Sequence, residues 1–161
     1  VDLYGRTKLL GELHRSHCLT LRTSIIGWQI NTFSSLLSWF ALQRGKRIKG
    51  YRKAIYSGLS TPVFSQLIGD ILLSRPDLHG LYQVASEPIS KHDLLVELRD
   101  LLGWDDIIIE PDDQFFCDRS LSGDRFSIAT GWRAPTWQFM LEKLAKDWEY
   151  YQDIYAKEMD R

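Results

Sequence analysis

No stretch of this sequence is apolar for long enough to cross a bilayer. A helical span needs about 20 apolar residues, and polar or charged residues interrupt every run before that. No basic region leads into an apolar segment and a small-residue cleavage site, so no secretory leader is read. Cysteine is scarce: Cys18 and Cys117 are the two, with no CxxC or metal-like spacing. They read as buried thiols in a reduced, cytoplasmic protein. An excess of one charge is also missing. Twenty Lys and Arg face 21 Asp and Glu, a net charge of −1. That gives no general pull toward nucleic acid or an anionic membrane. None of the 11 glycines falls in a G-x-G-x-x-G or G-x-x-G-x-x-G pattern, so the loop that lays a pyrophosphate on a helix N-terminus is not in this stretch.

What is present suits one folded domain. The chain has 161 residues, 44% hydrophobic and 25% charged, enough to bury a core. It opens Val-Asp-Leu-Tyr without an initiator Met, as if continuing something longer. Leu3, Leu9, Leu10 and Leu13, with good helix formers between them, predict a helix over residues 3–14 that packs one face. Tyr4 and Lys8 stand at i and i+4, on one face of that helix. The spacing alone is weak, since about a third of such a pair is expected by chance with this many Tyr and Lys. Residues 18–27, Cys-Leu-Thr-Leu-Arg-Thr-Ser-Ile-Ile-Gly, are apolar, β-branched and end at glycine. They predict a strand buried on both sides, giving the helix–loop–strand order of a doubly wound α/β sheet.

Together, Tyr4-Gly-Arg-Thr-Lys8-Leu-Leu-Gly-Glu12 and Leu21-Arg-Thr-Ser-Ile-Ile-Gly27 resemble the active-site helix and following strand of the extended short-chain dehydrogenase/reductase family. The dTDP-4-dehydrorhamnose reductase branch is the most similar. The resemblance implies that Tyr4 is the proton donor or acceptor at a substrate carbonyl. Lys8 holds the nicotinamide ribose of NADP or NAD, and Thr23, Ser24 and Ile25 line the nicotinamide pocket. The physics agrees: an unperturbed phenol titrates near 10, and a neighbouring ammonium favours the phenolate, toward the pH at which general acid–base work is efficient.

Further on, residues 31–43 predict a helix capped by Asn31 or Thr32 and stopped by Gly45, with Phe33, Leu36, Leu37, Phe40 and Leu42 inward. Trp39 is core or pocket wall. Six bases then fall in ten residues: Arg44, Lys46, Arg47, Lys49, Arg52 and Lys53. They read as a clamp for an anionic ligand, as a nucleic-acid patch with Tyr51 stacking, or as a solvated loop and edge strand. The near-zero net charge argues against nucleic acid. Residues 54–62 lead into a helix capped by Ser60 or Thr61 that runs from Val63 to Ser74. A strand over 81–87 follows, then a helix capped by Ser90, with Leu94, Leu95, Leu98, Leu101 and Leu102 inward and Gly103 at its end. His92 reads as a surface histidine. Ile107–Glu110 reads as a short strand, and Asp112-Asp113 as a turn rather than a metal site. The last segment, from Trp137 to about Met159, reads as a packed or self-associating helix, with Phe139, Met140, Leu144 and Trp148 inward, so a homo-oligomer stays open.

The resemblance extends to about residue 146. It implies the C-terminal part of a Rossmann-type α/β fold with an α/β substrate-binding region, the N-terminal dinucleotide-binding half being absent. Residues 1–30 would be the last active-site helix and strand of the sheet. Residues 31–161 would be mainly the substrate-binding region, with 80–87 returning to the main sheet. Arg119 and Ser120 match, loosely, a stretch that lies over the nucleotide-sugar, although the usual neighbouring proline is missing. The implied activity is NAD(P)H-dependent reduction of the 4-keto group of a dTDP-deoxyhexose. The alternatives are an epimerase or dehydratase of the same fold, or a non-catalytic binding or regulatory subunit. The expected partner is a nucleotide-sugar, with neither nucleic acid nor membrane. The 161-residue chain alone is expected to bind the cofactor negligibly.

Overall fold

The computed structural model of the chain describes residues 3–13, 15–30 and 34–159. In order, the elements are α1 (Leu3–Leu10), β1 (Leu19–Arg22), β2 (Ile25–Ile26), α2 (Leu36–Ala41), β3 (Arg47–Tyr56), β4 (Leu59–Ser60) and α3 (Thr61–Ser74). There follow β5 (Gly80–Gln83), β6 (Ile89–Ser90), α4 (Lys91–Leu102), β7 (Ile108–Asp118), α5 (Asp124–Thr130) and α6 (Trp137–Met159). The fold class is α/β, and parallel pairing dominates: β1 with β5, β2 with β4, and β3 with β7. Among the described strands, β6 alone runs antiparallel, beside β3, in a sheet ordered β6-β3-β7.

The single strand expected over residues 18–27 is two. The Arg22 carbonyl takes the Val84 N–H and the Ser24 carbonyl takes the Leu59 N–H. The chain therefore leaves one neighbour for another at Thr23-Ser24, and most of it is half-buried rather than buried on both sides. The strand expected at Ile107–Glu110 continues to Asp118 because β3 offers it a partner as far as Ile55. Asp112 and Asp113 thus lie inside a strand, at the register shift between Tyr51 and Lys53, and not in a turn. β6 meets β3 only at Ile55 and Tyr56, so the basic part of β3, Arg47 to Lys53, pairs with β7 on one side and with no strand on the other among the described residues, as the edge-strand expectation has it.

Capping decides the helix ends where a local signal exists. Ser90 Oγ accepts the Asp93 N–H at 3.0 Å, and Gly103 closes α4 in the left-handed region at φ 64°, a conformation that glycine adopts without steric cost. The α2 helix begins later than expected. Its cap is Ser35, whose Oγ accepts from the Ser38 N–H; Asn31, Thr32 and Phe33 lie outside the described residues. Ser60 occupies the cap position of α3 but makes no side-chain cap bond.

The core lies between α4, α6 and the β3 sheet. Leu94, Leu95 and Leu98 of α4 meet Met140, Leu141 and Leu144 of α6, all essentially inaccessible. Burying each leucine contributes about 1.5–3 kcal/mol. Of the expected inward residues, Leu101 and Phe139 are exposed instead. A second layer is aromatic. The Trp28 ring lies 4.7 Å from Trp148, and Trp148 lies 5.0 Å from Trp104. The Trp28 indole N–H donates to the Leu144 carbonyl at 2.8 Å. Cys18 and Cys117 are free thiols and only half-buried, less enclosed than expected.

Candidate functional site

The i, i+4 spacing puts Tyr4 and Lys8 on one face of α1, with the Lys8 Nζ 5.6 Å from the centre of the Tyr4 ring. Tyr4 is 70% exposed and Lys8 is exposed too. Neither side chain has a hydrogen bond or ion pair among the described residues. A ligand therefore has open access to a phenol hydroxyl and an ammonium one helical turn apart. The expected packed face of α1 is not seen: Leu3, Leu9, Leu10 and Leu13 are all exposed, and no residue of α1 is buried.

Among the described residues, a polar clasp holds this helix to the sheet. Arg22, the last residue of β1, donates to both oxygens of Glu12, at 2.6 and 2.7 Å. Thr20 Oγ1 donates to the Leu13 carbonyl at 3.0 Å. The bidentate Glu12 contact, its largest cause, holds the Arg22 guanidinium above its ordinary pKa. The end of α1 is thereby fixed one residue before the segment Thr23-Ser24-Ile25. Thr23 Oγ1 donates to the Ser24 carbonyl at 3.3 Å. No hydrogen bond joins Tyr4 or Lys8 directly to Thr23, Ser24 or Ile25 among the described residues.

Ile25 stands on the wall of a cleft of about 250 Å³ at the carboxyl ends of β2 and β4. Carboxyl ends of parallel strands are where ligands bind in open α/β sheets. Ile26, Gln29, Leu36, Tyr56 and Thr61 share the wall, and no lining residue is charged. Tyr56 has a buried hydroxyl without a hydrogen-bond partner in the described structure, and burial pushes its phenol well above the ordinary tyrosine value. The ring fits only because position 58 is glycine. A Cβ there would collide with the Tyr56 side chain and with the Ser24 carbonyl.

Arg119 and Ser120 lie elsewhere, just past β7. The Arg119 N–H donates to the Ile55 carbonyl at 3.1 Å, and its exposed guanidinium has no ion pair among the described residues. Ser120 is turned back on Asp118, to which its N–H and Oγ both donate. Next to this loop is a larger cleft of about 480 Å³, whose lining includes Glu87, Ser122, Asp124, Trp132 and Arg133. The segment Ser57-Gly58-Leu59 hydrogen-bonds to residues beside both clefts. Leu59 N–H donates to Ser24, Ser86 donates to the Ser57 and Gly58 carbonyls, and Ser57 Oγ accepts from the Leu121 N–H. The sequence marks residues 54–62 only as a lead into α3, and these long-range hydrogen bonds have no local pattern beyond one, a Ser-Gly pair after an alternating strand.

The basic segment is not an open anion clamp. Arg44 pairs with Asp106, Arg47 with Glu110, Lys49 with Asp112 and Arg52 with Asp113. In parallel register these bases of the β3 region face acids of the β7 region, so most of the positive charge is spent within the fold. Lys91 lies over the Trp39 ring at 4.9 Å, and Trp39, half-buried, packs against the core and also lines a pocket. His92 bonds Asp93 at 2.8 Å. No cluster of three or more metal-ligating side chains occurs among the described residues, and no described helix is long and apolar enough to cross a membrane.

No protein-family model matches the sequence, and no curated protein matches it. Solved structures do. A dTDP-4-dehydrorhamnose reductase from Bacillus anthracis, in complex with NADP, superposes with a TM-score of 0.69 over 89% of this chain and 52% of that one, at 18% identity. A dTDP-glucose 4,6-dehydratase from the same organism, in complex with NAD, gives a TM-score of 0.60 over 84% of this chain and 45% of that one, at 16% identity. A UDP-N-acetylglucosamine 4-epimerase from Bacillus cereus gives 0.61 over 89% and 50%, at 13% identity. At these identities the likeness is one of fold. The chain spans about half the length of the solved structures it matches.

Proposed function

We propose that this chain carries the proton donor and substrate side of a nucleotide-sugar reductase that uses NADPH or NADH. Its reaction would be reduction of the 4-keto group of a dTDP-deoxyhexose such as dTDP-4-dehydrorhamnose. The observation that carries the reading is the Tyr4–Lys8 pair, accessible on one face of α1 and clasped through Glu12 to the strand that leads into Ile25. The residues present suit the nicotinamide and ribose end of the cofactor: a free ammonium, a free phenol and an uncharged cleft beside them in the chain. The pyrophosphate end has no glycine loop here.

When bound, the nicotinamide would supply hydride to the carbonyl carbon. Tyr4 gives its phenol proton to the carbonyl oxygen. Lys8 would stabilise the negative charge left on the phenol oxygen and would be the residue to hold the ribose hydroxyls. Thr23, Ser24 and Ile25 would wall the nicotinamide, and the uncharged lining around Ile25 would keep the ring dry. Arg119 offers a guanidinium suited to the sugar-nucleotide diphosphate, with Ser120 beside it. Residues 1–30 and 80–87 belong to the main sheet in this reading, and most of the remainder serves the substrate. A cytoplasmic protein without nucleic-acid partners fits it.

The test is NADPH oxidation by the full-length protein with a 4-keto-6-deoxy nucleotide-sugar. Tyr4→Phe is expected to lower kcat about 10²–10⁴-fold. Wild-type rates in that variant would overturn the mechanism. A second reading, an epimerase or dehydratase of the same fold, is supported by neighbours of both kinds. Tightly retained NAD+ without net NADPH consumption would select it. Binding of the sugar nucleotide without turnover would select a non-catalytic subunit.

A further inference from the structure

We infer that Gln29 reads an uncharged, oxygen-bearing ring in the cleft beside Ile25, and that Tyr155, near the far end of α6, is the positioning residue that aims it. The inference deepens the proposed function, on which the identity of the ring rests. The polar relay stands on its own geometry.

Gln29 lines the cleft. The Ser35 N–H donates to its Oε1 at 2.8 Å. An N–H can only donate, so the atom it meets must be the amide oxygen, and this fixes the orientation of the side chain. Both protons on Nε2 are then unclaimed among the described residues. Ser35 is fixed in its turn, with its Oγ 2.9 Å from Ser38 Oγ, and Ser38 Oγ lies 2.6 Å from the Tyr155 hydroxyl. The Gln29 backbone N–H donates to that same hydroxyl at 3.1 Å. The phenol oxygen thus accepts from Gln29 and shares a hydrogen bond with Ser38 Oγ. Tyr155 is fully inaccessible and packed edge-on against Trp28 and Trp148, with ring centres 5.7 and 5.3 Å away. Its hydroxyl is therefore a rigid post, and Gln29 is tied to it at both backbone and side chain.

The cleft selects by the absence of charge. Its wall holds Ile25, Ile26, Trp28 and Leu36, with polar groups from Gln29, Ser35, Tyr56 and Thr61. The Tyr56 hydroxyl is enclosed and has no partner in the described structure, so the polar readout of the cleft falls to Gln29. A phosphate has no cation here to offset its desolvation. A ring bearing a carbonyl or hydroxyl oxygen can accept from the Gln29 amide. Two parts of the proposed reaction carry such an oxygen, the hexose ring and the nicotinamide carboxamide.

The test uses the full-length protein, labelled for NMR and titrated separately with a free 6-deoxyhexose, with nicotinamide and with inorganic phosphate. The Gln29 side-chain amide signals should shift with the hexose or with nicotinamide, and the one that shifts them identifies the ring. Phosphate should leave them still. Gln29→Leu is expected to weaken that ligand about 10-fold, the worth of one or two hydrogen bonds. Tyr155→Phe keeps the ring in the aromatic cluster and removes only the hydroxyl, and should weaken it about 3–10-fold. Ser38→Ala cuts the relay one link later and should do the same, with near-UV dichroism unchanged in both. Equal shifts with phosphate, no shift with either neutral ring, or wild-type affinity in Gln29→Leu or in both relay variants would overturn the inference. Binding at Gln29 in a protein that never oxidises NADPH would defeat the reductase reading alone. Turnover indifferent to Gln29→Leu would defeat this one alone.

Discussion

Both α1 and α4 carry leucine at helical spacing, yet Leu94, Leu95 and Leu98 of α4 are shut away while Leu3, Leu9 and Leu10 of α1 stand in solvent. α4 has a serine cap, a glycine stop, a sheet beneath it and α6 beside it. Its three buried leucines are worth roughly 5–9 kcal/mol together. α1 spans only 8 residues, a length at which an isolated helix is marginal in water. Its fixed points are the Glu12–Arg22 clasp and the Thr20–Leu13 bond. The same residue pattern thus gives a load-carrying helix in one place and an accessible, lightly held one in the other. The accessible one holds Tyr4 and Lys8. Stability and the proposed chemistry should therefore separate under mutation.

The largest effects test that separation directly. Tyr4→Phe should lose its activity, as argued above, while the melting temperature of the full-length protein stays within about 1 °C, since an exposed substitution changes stability little. Leu95→Ala should do the reverse. It opens a cavity between α4 and α6 and should cost about 2–5 kcal/mol, read as a lower urea midpoint, with kcat per folded molecule unchanged. Melting of Tyr4→Phe well below wild type would show that α1 is part of the packed body after all.

The same contrast explains what could be read from residues alone. Local signals were legible. Ser90 and Gly103 mark the ends of α4 within one turn of the helix they close, and Tyr4 and Lys8 declare a shared face through a four-residue spacing. Distant pairing was not. Whether Arg44, Arg47, Lys49 and Arg52 clamp a ligand or neutralise a neighbour depends on acids about 60 positions later, brought alongside by the register of β3 with β7. The length of β7 had the same cause, since nothing in Pro111-Asp112-Asp113 announces a strand. Trp39 could not be sorted into core or pocket wall, because its pocket is completed by Lys91, from a helix much later in the chain. Nothing local marks Tyr155, because its hydroxyl reaches back to Gln29 and Ser38, more than a hundred positions earlier.

A smaller effect is expected at the clasp. Glu12→Gln keeps the size of the side chain but removes the charge that grips Arg22, which is half-exposed beside a more buried carboxylate. The expected cost is about 1–2 kcal/mol, confined to α1. Hydrogen exchange should show faster amides over residues 5–10, with those of α4 unaltered, and kcat should fall because Tyr4 and Lys8 are less firmly placed. Unchanged exchange in α1 would mean that the clasp is not what fixes this helix.

The smallest effect belongs to the surface ladder of the body. The side-chain hydrogen bond from Lys49 holds the Asp112 carboxyl below its ordinary pKa, with the Gln114 N–H assisting. A carboxyl depressed in the folded state adds stability that is fully present above its unfolded value, near 4, and is lost as pH falls through the folded value. The urea midpoint should therefore decline on acidification below about pH 4, and Asp112→Asn should flatten part of that decline while lowering the midpoint at neutral pH. Such pairs are screened by solvent and salt, so raising ionic strength should shrink the difference between wild type and variant. An acid limb that stays equally steep in Asp112→Asn would assign the decline to other carboxylates. A variant that lost NADPH oxidation at neutral pH without losing stability would place β7 among the parts that serve the chemistry, and the division between a self-supporting body and a reactive rim would fail there.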